Sequence, residues 1–122
     1  MAFCAECESR GCGDSDLCDA VAEMARGLID ADLGSGLVKK RIARCGAGKR
    51  GGYRVFVANR RGGPWFFIKG YAKNVMDDVD AETLLLCRTA ARELTAMSER
   101  TLAESVADRQ LKEVCCDAQT EE

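Results

Sequence analysis

The sequence contains no histidine and no long apolar run. Without an imidazole, acid–base catalysis by histidine and mixed Cys/His zinc sites are both excluded. No apolar stretch approaches the roughly 20 residues needed to span a membrane. The first residues also lack the basic start and apolar stretch of a secretory signal. These absences predict a soluble cytoplasmic protein without contact to a membrane, and nothing in the sequence calls for a cofactor.

Acidic residues are absent from one central segment, residues 37–73. This segment holds eleven of the eighteen basic residues, whereas all twenty Asp and Glu lie outside it. The net charge of −2 therefore conceals a strong local positive field. A polyanion is the natural partner of such a field, because each neutralised phosphate releases condensed counterions. A solvated basic surface without a ligand is the alternative interpretation.

The eight cysteines allow more than one interpretation. Cys4 and Cys7 have the spacing of half a zinc site, but no second pair follows at a similarly tight spacing. A disulfide framework is disfavoured because no export signal accompanies the thiols. We therefore expect reduced cysteines that behave as small apolar residues, and no metal site.

Hydrophobic periodicity predicts three helices and a group of strands. The first helix starts after Asp14 or Ser15 and ends near 30–32, the second covers about 81–97, and Ser98 caps the third. Strands are predicted at 37–44, 53–59 and 65–71, of which the last two form a hairpin. Residues 1–13 are predicted to be an irregular Cys-rich start, within which a short edge strand at 3–8 is the alternative, and residues 117–122 a frayed acidic tail.

This order of elements predicts the α+β class. We expect a small antiparallel sheet with helices packed on one face and two helices after the last strand. The other face of the sheet is then left to the basic residues. A chain of 122 residues has the size of one domain, so a single domain is predicted over 1–122.

Several motifs resemble those of one known family. The segments GLIDADLG (27–34), GLVKKRIAR (36–44), GAGKRGGYR (46–54) and GYAKN (70–74) are similar to the RelE/ParE superfamily, in particular to RelE-like toxins of the HigB type from type II toxin–antitoxin systems. The resemblance covers about 14–114. It implies a small sheet packed by helices, cleavage of messenger RNA, often on the ribosome, and silencing by a cognate antitoxin protein.

RNA cleavage without a metal uses the 2′-hydroxyl as nucleophile and requires proton transfer and stabilisation of the charged phosphorane. In the absence of histidine these tasks fall to Arg, Lys and Tyr. Arginine forks onto phosphate oxygens, and lysine acts as a base only where its neighbours lower its pKa. The predicted catalytic residues are Arg54, Lys73, Lys49, Lys39 and Arg41. The predicted RNA-binding residues are Lys40, Arg44, Arg50, Tyr53, Lys69 and Tyr71, where the tyrosines stack on bases or donate a proton. Half-buried aromatic residues of the strands are the alternative interpretation of the two tyrosines.

The resemblance adds weight to two of these residues. Arg54 follows a Gly-Gly-Tyr turn, where the family has a similar phosphate-binding arginine. Lys73 matches a basic family position after the last strand. Two alternatives to the nuclease remain. One is an inhibitor of DNA gyrase of the ParE type, and the other is an inactive relic that only binds its antitoxin. The acidic residues Glu6 and Glu8 and the run Asn74, Val75 and Met76 depart from the family pattern and motivate the relic.

Overall fold

The computed structural model describes residues 2–4, 14–42, 53–59, 62–72 and 80–114; Tyr53 and Tyr71 are described by their backbone. In chain order, the elements within these residues are β1 (Ala2–Cys4), α1 (Asp14–Ala25), β2 (Ala31–Gly34), β3 (Leu37–Ile42), β4 (Tyr53–Asn59), β5 (Trp65–Ala72), α2 (Ala81–Thr95), α3 (Glu99–Ala107) and β6 (Lys112–Val114). The predicted tail at 117–122 lies outside the described residues.

The six strands form one sheet in the order β2-β3-β4-β5-β1-β6. The α+β class is confirmed. The sheet is mixed, not purely antiparallel, because β1 pairs parallel with β5 on one side and antiparallel with β6 on the other. Ala2, Phe3 and Cys4 are all buried, and β1 lies between β5 and β6, so the start of the chain contains an inner strand and not an edge strand. The strand β6 also follows the two helices that were predicted to close the fold.

Local capping explains where the two later helices begin. The carboxylate of Asp80 accepts a hydrogen bond from the backbone N–H of Thr83 at 2.8 Å, and the hydroxyl of Ser98 accepts one from the N–H of Thr101 at 3.1 Å. These bonds satisfy N–H groups that have no partner within the helix. The predicted cap at Ser98 is confirmed. The bond at Asp80 also lowers the pKa of its carboxyl group.

The first helix ends earlier than the sequence pattern predicts. Helix α1 stops at Ala25, and Gly27 adopts a φ of +90°, which ends the helix with a left-handed turn. The predicted extension to 30–32 is wrong, because residues 31–34 form β2 instead. A turn at Ser35 and Gly36, with φ of +59° and +79°, joins β2 to β3, as in a two-residue hairpin loop. A Cβ at Gly36 would lie 3.1 Å from the carbonyl oxygen of Asn59.

Helices cover both faces of the sheet, which differs from the predicted single covered face. On one face Val55, Val57 and Phe67 pack with α1. On the other face Phe56 and Phe66 pack with α2 and α3. Successive strand residues point to opposite faces, and both alternating sets in β4 and β5 are apolar, so each face needs a cover. We call these faces the α1 side and the α2 side.

None of the helices in the described ranges is both long enough and apolar enough to cross a lipid bilayer.

Candidate functional site

The register of the three central strands gathers basic residues on one face of the sheet. Directly opposed residues on paired strands project from the same face. Two neighbouring rows result, Lys39–Phe56–Lys69 and Arg41–Arg54–Tyr71. Phe56 packs against the helices of the α2 side, so alternation along the strands assigns both rows to that side. We call the group Lys39, Arg41, Arg54 and Lys69 the cationic face.

The cationic face lies at the margin of the part of the sheet that the helices cover, since Phe56, between Lys39 and Lys69, is still buried in the core of the α2 side. In the adjacent row, Leu37 is opposite Ala58 and Ala58 is opposite Phe66, and all three are buried in the core of the α2 side. Further along the strands, Lys39 is half-buried and Arg41 and Lys69 are exposed. The same face of the sheet therefore changes from an apolar core into a basic surface within a few residues.

Two of the four cations, Lys39 and Arg41, have no ion pair within the part of the chain that the structure describes. Arg41 and Arg54 stand directly opposite each other on β3 and β4, and like charges in this position destabilise a sheet. An anion bound between the two guanidinium groups offsets this repulsion. This arrangement is typical of a surface that binds phosphate groups.

Arg54 is the most enclosed cation of the face. Its side chain is only 17% exposed, and its Nε lies 3.5 Å from Oδ2 of Asp30. Its Nη1 has less than 1 Å² of accessible area and no hydrogen-bond partner. A buried donor without a partner is costly, and such groups occur at functional sites. Arg54 therefore has one edge held by an acid and a second edge with hydrogen-bonding capacity to spare.

Lys40 does not belong to the cationic face. Its Nζ lies 2.7 Å from Oε1 of Glu23 on α1 and donates a hydrogen bond of 3.0 Å to the carbonyl of Leu28. Its side chain is 8% exposed. The hydrogen bond and positive charge of Lys40 lower the pKa of Glu23. The predicted RNA-binding residue Lys40 thus ties the first helix to β3 on the α1 side.

The α1 side carries an acidic cavity of about 460 Å³ between α1 and β3. Its charged lining residues are Asp16, Asp19, Glu23, Asp30, Lys40 and Arg41. Arg41 therefore belongs both to this cavity and to the cationic face, and the two surfaces meet at Arg41 and at the Asp30–Arg54 pair. In the described part of the chain, no three His, Cys, Asp or Glu side chains are placed to share one metal ion.

The structure covers only part of the site that the sequence predicts. It groups Lys39, Arg41, Arg54 and Lys69, and it places the backbone of Tyr71 opposite Arg54 and that of Tyr53 at the start of β4. The predicted residues Lys49, Lys73, Arg44 and Arg50 lie outside the described residues.

Two acidic residues of this region were not predicted from the sequence: Asp30, which pairs with Arg54, and Glu23, which pairs with Lys40. Asp30 was placed at the end of a helix. The signal that pointed to it is its position among the last acids before the acid-free segment 37–73.

One known protein family matches nearly the whole chain, including the cationic face. A family model described as the RelE toxin of the RelE/RelB toxin–antitoxin system matches residues 2–114. This match runs from the start of β1 to the end of β6 and includes the whole cationic face. A search of curated proteins found no match.

Proposed function

The chain belongs to the RelE toxin family of toxin–antitoxin systems, and from this premise we propose that it is an endoribonuclease that cuts messenger RNA. The cationic face carries this proposal, because its rows present two guanidinium and two ammonium groups from three adjacent strands. A ribose–phosphate backbone needs charges that are spread in this way along its path.

The chemistry of the proposed reaction follows from these groups. The 2′-oxygen of a ribose attacks the adjacent phosphorus, and the bond from phosphorus to the 5′-oxygen of the next nucleotide breaks. The attacking 2′-hydroxyl gives its proton to a base, and the leaving 5′-oxygen takes up a proton from an acid, so the products are a 2′,3′-cyclic phosphate and a 5′-hydroxyl. Negative charge accumulates on the phosphorane oxygens in between. Arg54 and Arg41, opposed on neighbouring strands, stabilise that charge with fixed positive groups.

Proton transfer falls to the lysines of the proposed site, because the chain has no histidine. Lys39 and Lys69 flank the arginine row from β3 and β5. Lys49 and Lys73 remain candidates from the sequence for the base and the acid. Tyr53 and Tyr71 are proposed to stack on bases of the substrate.

The proposed partners follow from the family and from charge. RelE toxins partner with an antitoxin, and we propose that a cognate antitoxin uses acidic or apolar segments to cover the cationic face or the helices beside it. The proposed substrate is messenger RNA in the cytoplasm, bound on the ribosome. The ribosome's own RNA supplies further phosphates for a basic surface.

Inducing the protein without its antitoxin and mapping the 5′ ends of cellular messenger RNA tests this function. Purified protein, incubated with RNA with and without ribosomes, shows whether the ribosome is required. Arg54→Ala is expected to lower the cleavage rate on the order of 100-fold, the usual effect of removing one transition-state donor. Arg100→Ala is the matched control, because Arg100 is 89% exposed on α3, and it is expected to cleave like the wild type.

The alternatives give different results in the same experiment. Growth arrest with intact transcripts, retained by Arg54→Ala, would support inhibition of DNA gyrase and refute the nuclease. Wild-type induction without any effect on growth or transcripts would support the inactive relic.

A further inference from the structure

Asp30 is placed to orient the guanidinium of Arg54. We propose that Asp30 is a positioning residue, which holds the Nε edge of Arg54 so that its outer Nη1–Nη2 edge is presented to a phosphate of the RNA. This inference rests on the proposed function and adds a residue that the sequence pattern did not identify.

The first argument is the burial of the charge. The cationic side chain of Arg54 is 17% exposed, with Asp30 as its ion-pair partner at 3.5 Å. Asp30 is itself only 33% exposed. A cation so enclosed requires a compensating acid. Asp30 provides it and also offsets the repulsion between Arg54 and the opposed Arg41.

The second argument is the rigidity of the support. The backbone N–H of Asp30 donates a hydrogen bond of 2.8 Å to the carbonyl of Lys39, and the next residue, Ala31, is paired with Lys39 in the sheet. The backbone that carries the carboxylate is therefore held against β3, one residue before β2 begins. A group that is held by its own backbone can hold a long side chain in one orientation.

The third argument is the edge of the guanidinium that Asp30 uses. Arginine has five N–H donors, and a carboxylate placed at Nε leaves the Nη1–Nη2 edge for a second oxyanion. In this structure Nη1 has no hydrogen-bond partner. Two non-bridging phosphate oxygens match the spacing of that edge. Because Nη1 has less than 1 Å² of accessible area, the RNA-bound form must uncover it by a small local shift.

Asp30→Asn, with Asp32→Asn as the matched control, separates positioning from a general charge effect. Asp32 is exposed and its Oδ1 accepts a hydrogen bond from the Gly34 N–H at 3.0 Å, a bond that an Asn side chain can also accept. Both variants remove one negative charge, so a charge effect alone strengthens the binding of RNA in both, and more in Asp30→Asn, whose carboxylate lies nearer the cationic face. Positioning predicts that kcat falls about 10-fold in Asp30→Asn alone.

Binding and folding are measured alongside the rates. The Kd for a 2′-O-methyl RNA oligonucleotide, which cannot be cut, is expected not to weaken in either variant. Thermal unfolding establishes that both variants are folded at the assay temperature. An unchanged kcat in Asp30→Asn, or an equal loss in both variants, would overturn the proposal.

A spectroscopic measurement distinguishes failure of this inference from failure of the proposed function. The Nε–H signal of Arg54 in ¹⁵N spectra, assigned with Arg54→Lys, is expected to exchange slowly with water in the wild type and in Asp32→Asn. It is expected to shift and to exchange faster in Asp30→Asn. If the wild type cuts no RNA but this difference is present, the nuclease proposal fails and the Asp30–Arg54 coupling stands. An identical signal in all three proteins refutes the coupling, whatever the activity.

Discussion

Replacing Lys40 by methionine tests whether this lysine supports the fold or binds RNA. Methionine keeps the length of the side chain and removes the ammonium group. The variant loses the hydrogen bond from Nζ to the Leu28 carbonyl. A hydrogen bond with a charged donor adds about 1.5 kcal/mol to the free energy of unfolding at the lower end of its range. We use this lower value because Leu28 is 52% exposed. The half-exposed Glu23 adds little, since solvent screens the pair.

The expected loss for Lys40→Met is thus about 1.5 kcal/mol in the free energy of unfolding, or about 6 °C in Tm for a domain of this size. Urea unfolding measures this loss. The comparison requires that the m-value, the slope of the free energy of unfolding against urea concentration, is the same in both proteins. Lys39→Met is the neighbouring control on the opposite face, and its stability is expected to stay within about 0.5 kcal/mol of the wild type.

Binding of 2′-O-methyl RNA at low temperature completes this test. Lys39→Met is expected to bind more weakly than the wild type, while Lys40→Met binds equally well. The reasoning is refuted if Lys40→Met is as stable as the wild type, or if it weakens binding as much as Lys39→Met does.

Three further predictions concern the stability of the fold. Since Lys40 lowers the pKa of Glu23 below its ordinary 4.5, ionised Glu23 stabilises the fold at neutral pH, and this contribution is lost as the pH falls through the lowered pKa. Glu23→Gln should therefore flatten the decline of the urea midpoint between pH 6 and pH 3; an unchanged decline would contradict the assignment. Asp80→Ala removes the cap of α2 and should cost about 1 kcal/mol in urea unfolding, whereas a loss near zero would show that the cap is dispensable. Leu37→Ala, at a position with 0% exposure, should cost about 2–5 kcal/mol, while Leu86→Ala, 63% exposed, should be nearly neutral; equal losses would contradict the burial.

The elements with strong local signals were predictable from the sequence. Local signals define the starts of α2 and α3, at the caps Asp80 and Ser98, and the alternating strands β4 and β5. The residues that produce each signal lie within a few positions of each other. Strands β1, β2 and β6 have three or four residues each. So few residues show almost no periodicity, and these strands are defined by partners that are distant in the chain.

The basic character of the site was predictable from the sequence, but the positions of its side chains were not. The acid-free segment pointed to a basic surface, and alternation implies that Lys39 and Lys40 lie on opposite faces. Which of the two is exposed depends on where α1 packs, and this is a property of the tertiary fold. In the same way, Asp30 becomes a partner of Arg54 only because α1 ends at Ala25 and the chain turns back to form β2.

The position of β1 has a consequence for how the protein is made. The partners of residues 2–4 are Trp65–Phe67 on one side and Lys112–Val114 on the other. Contacts between residues so far apart in sequence form late and slowly. The sheet of the described residues is therefore completed only after residue 114 has been synthesised.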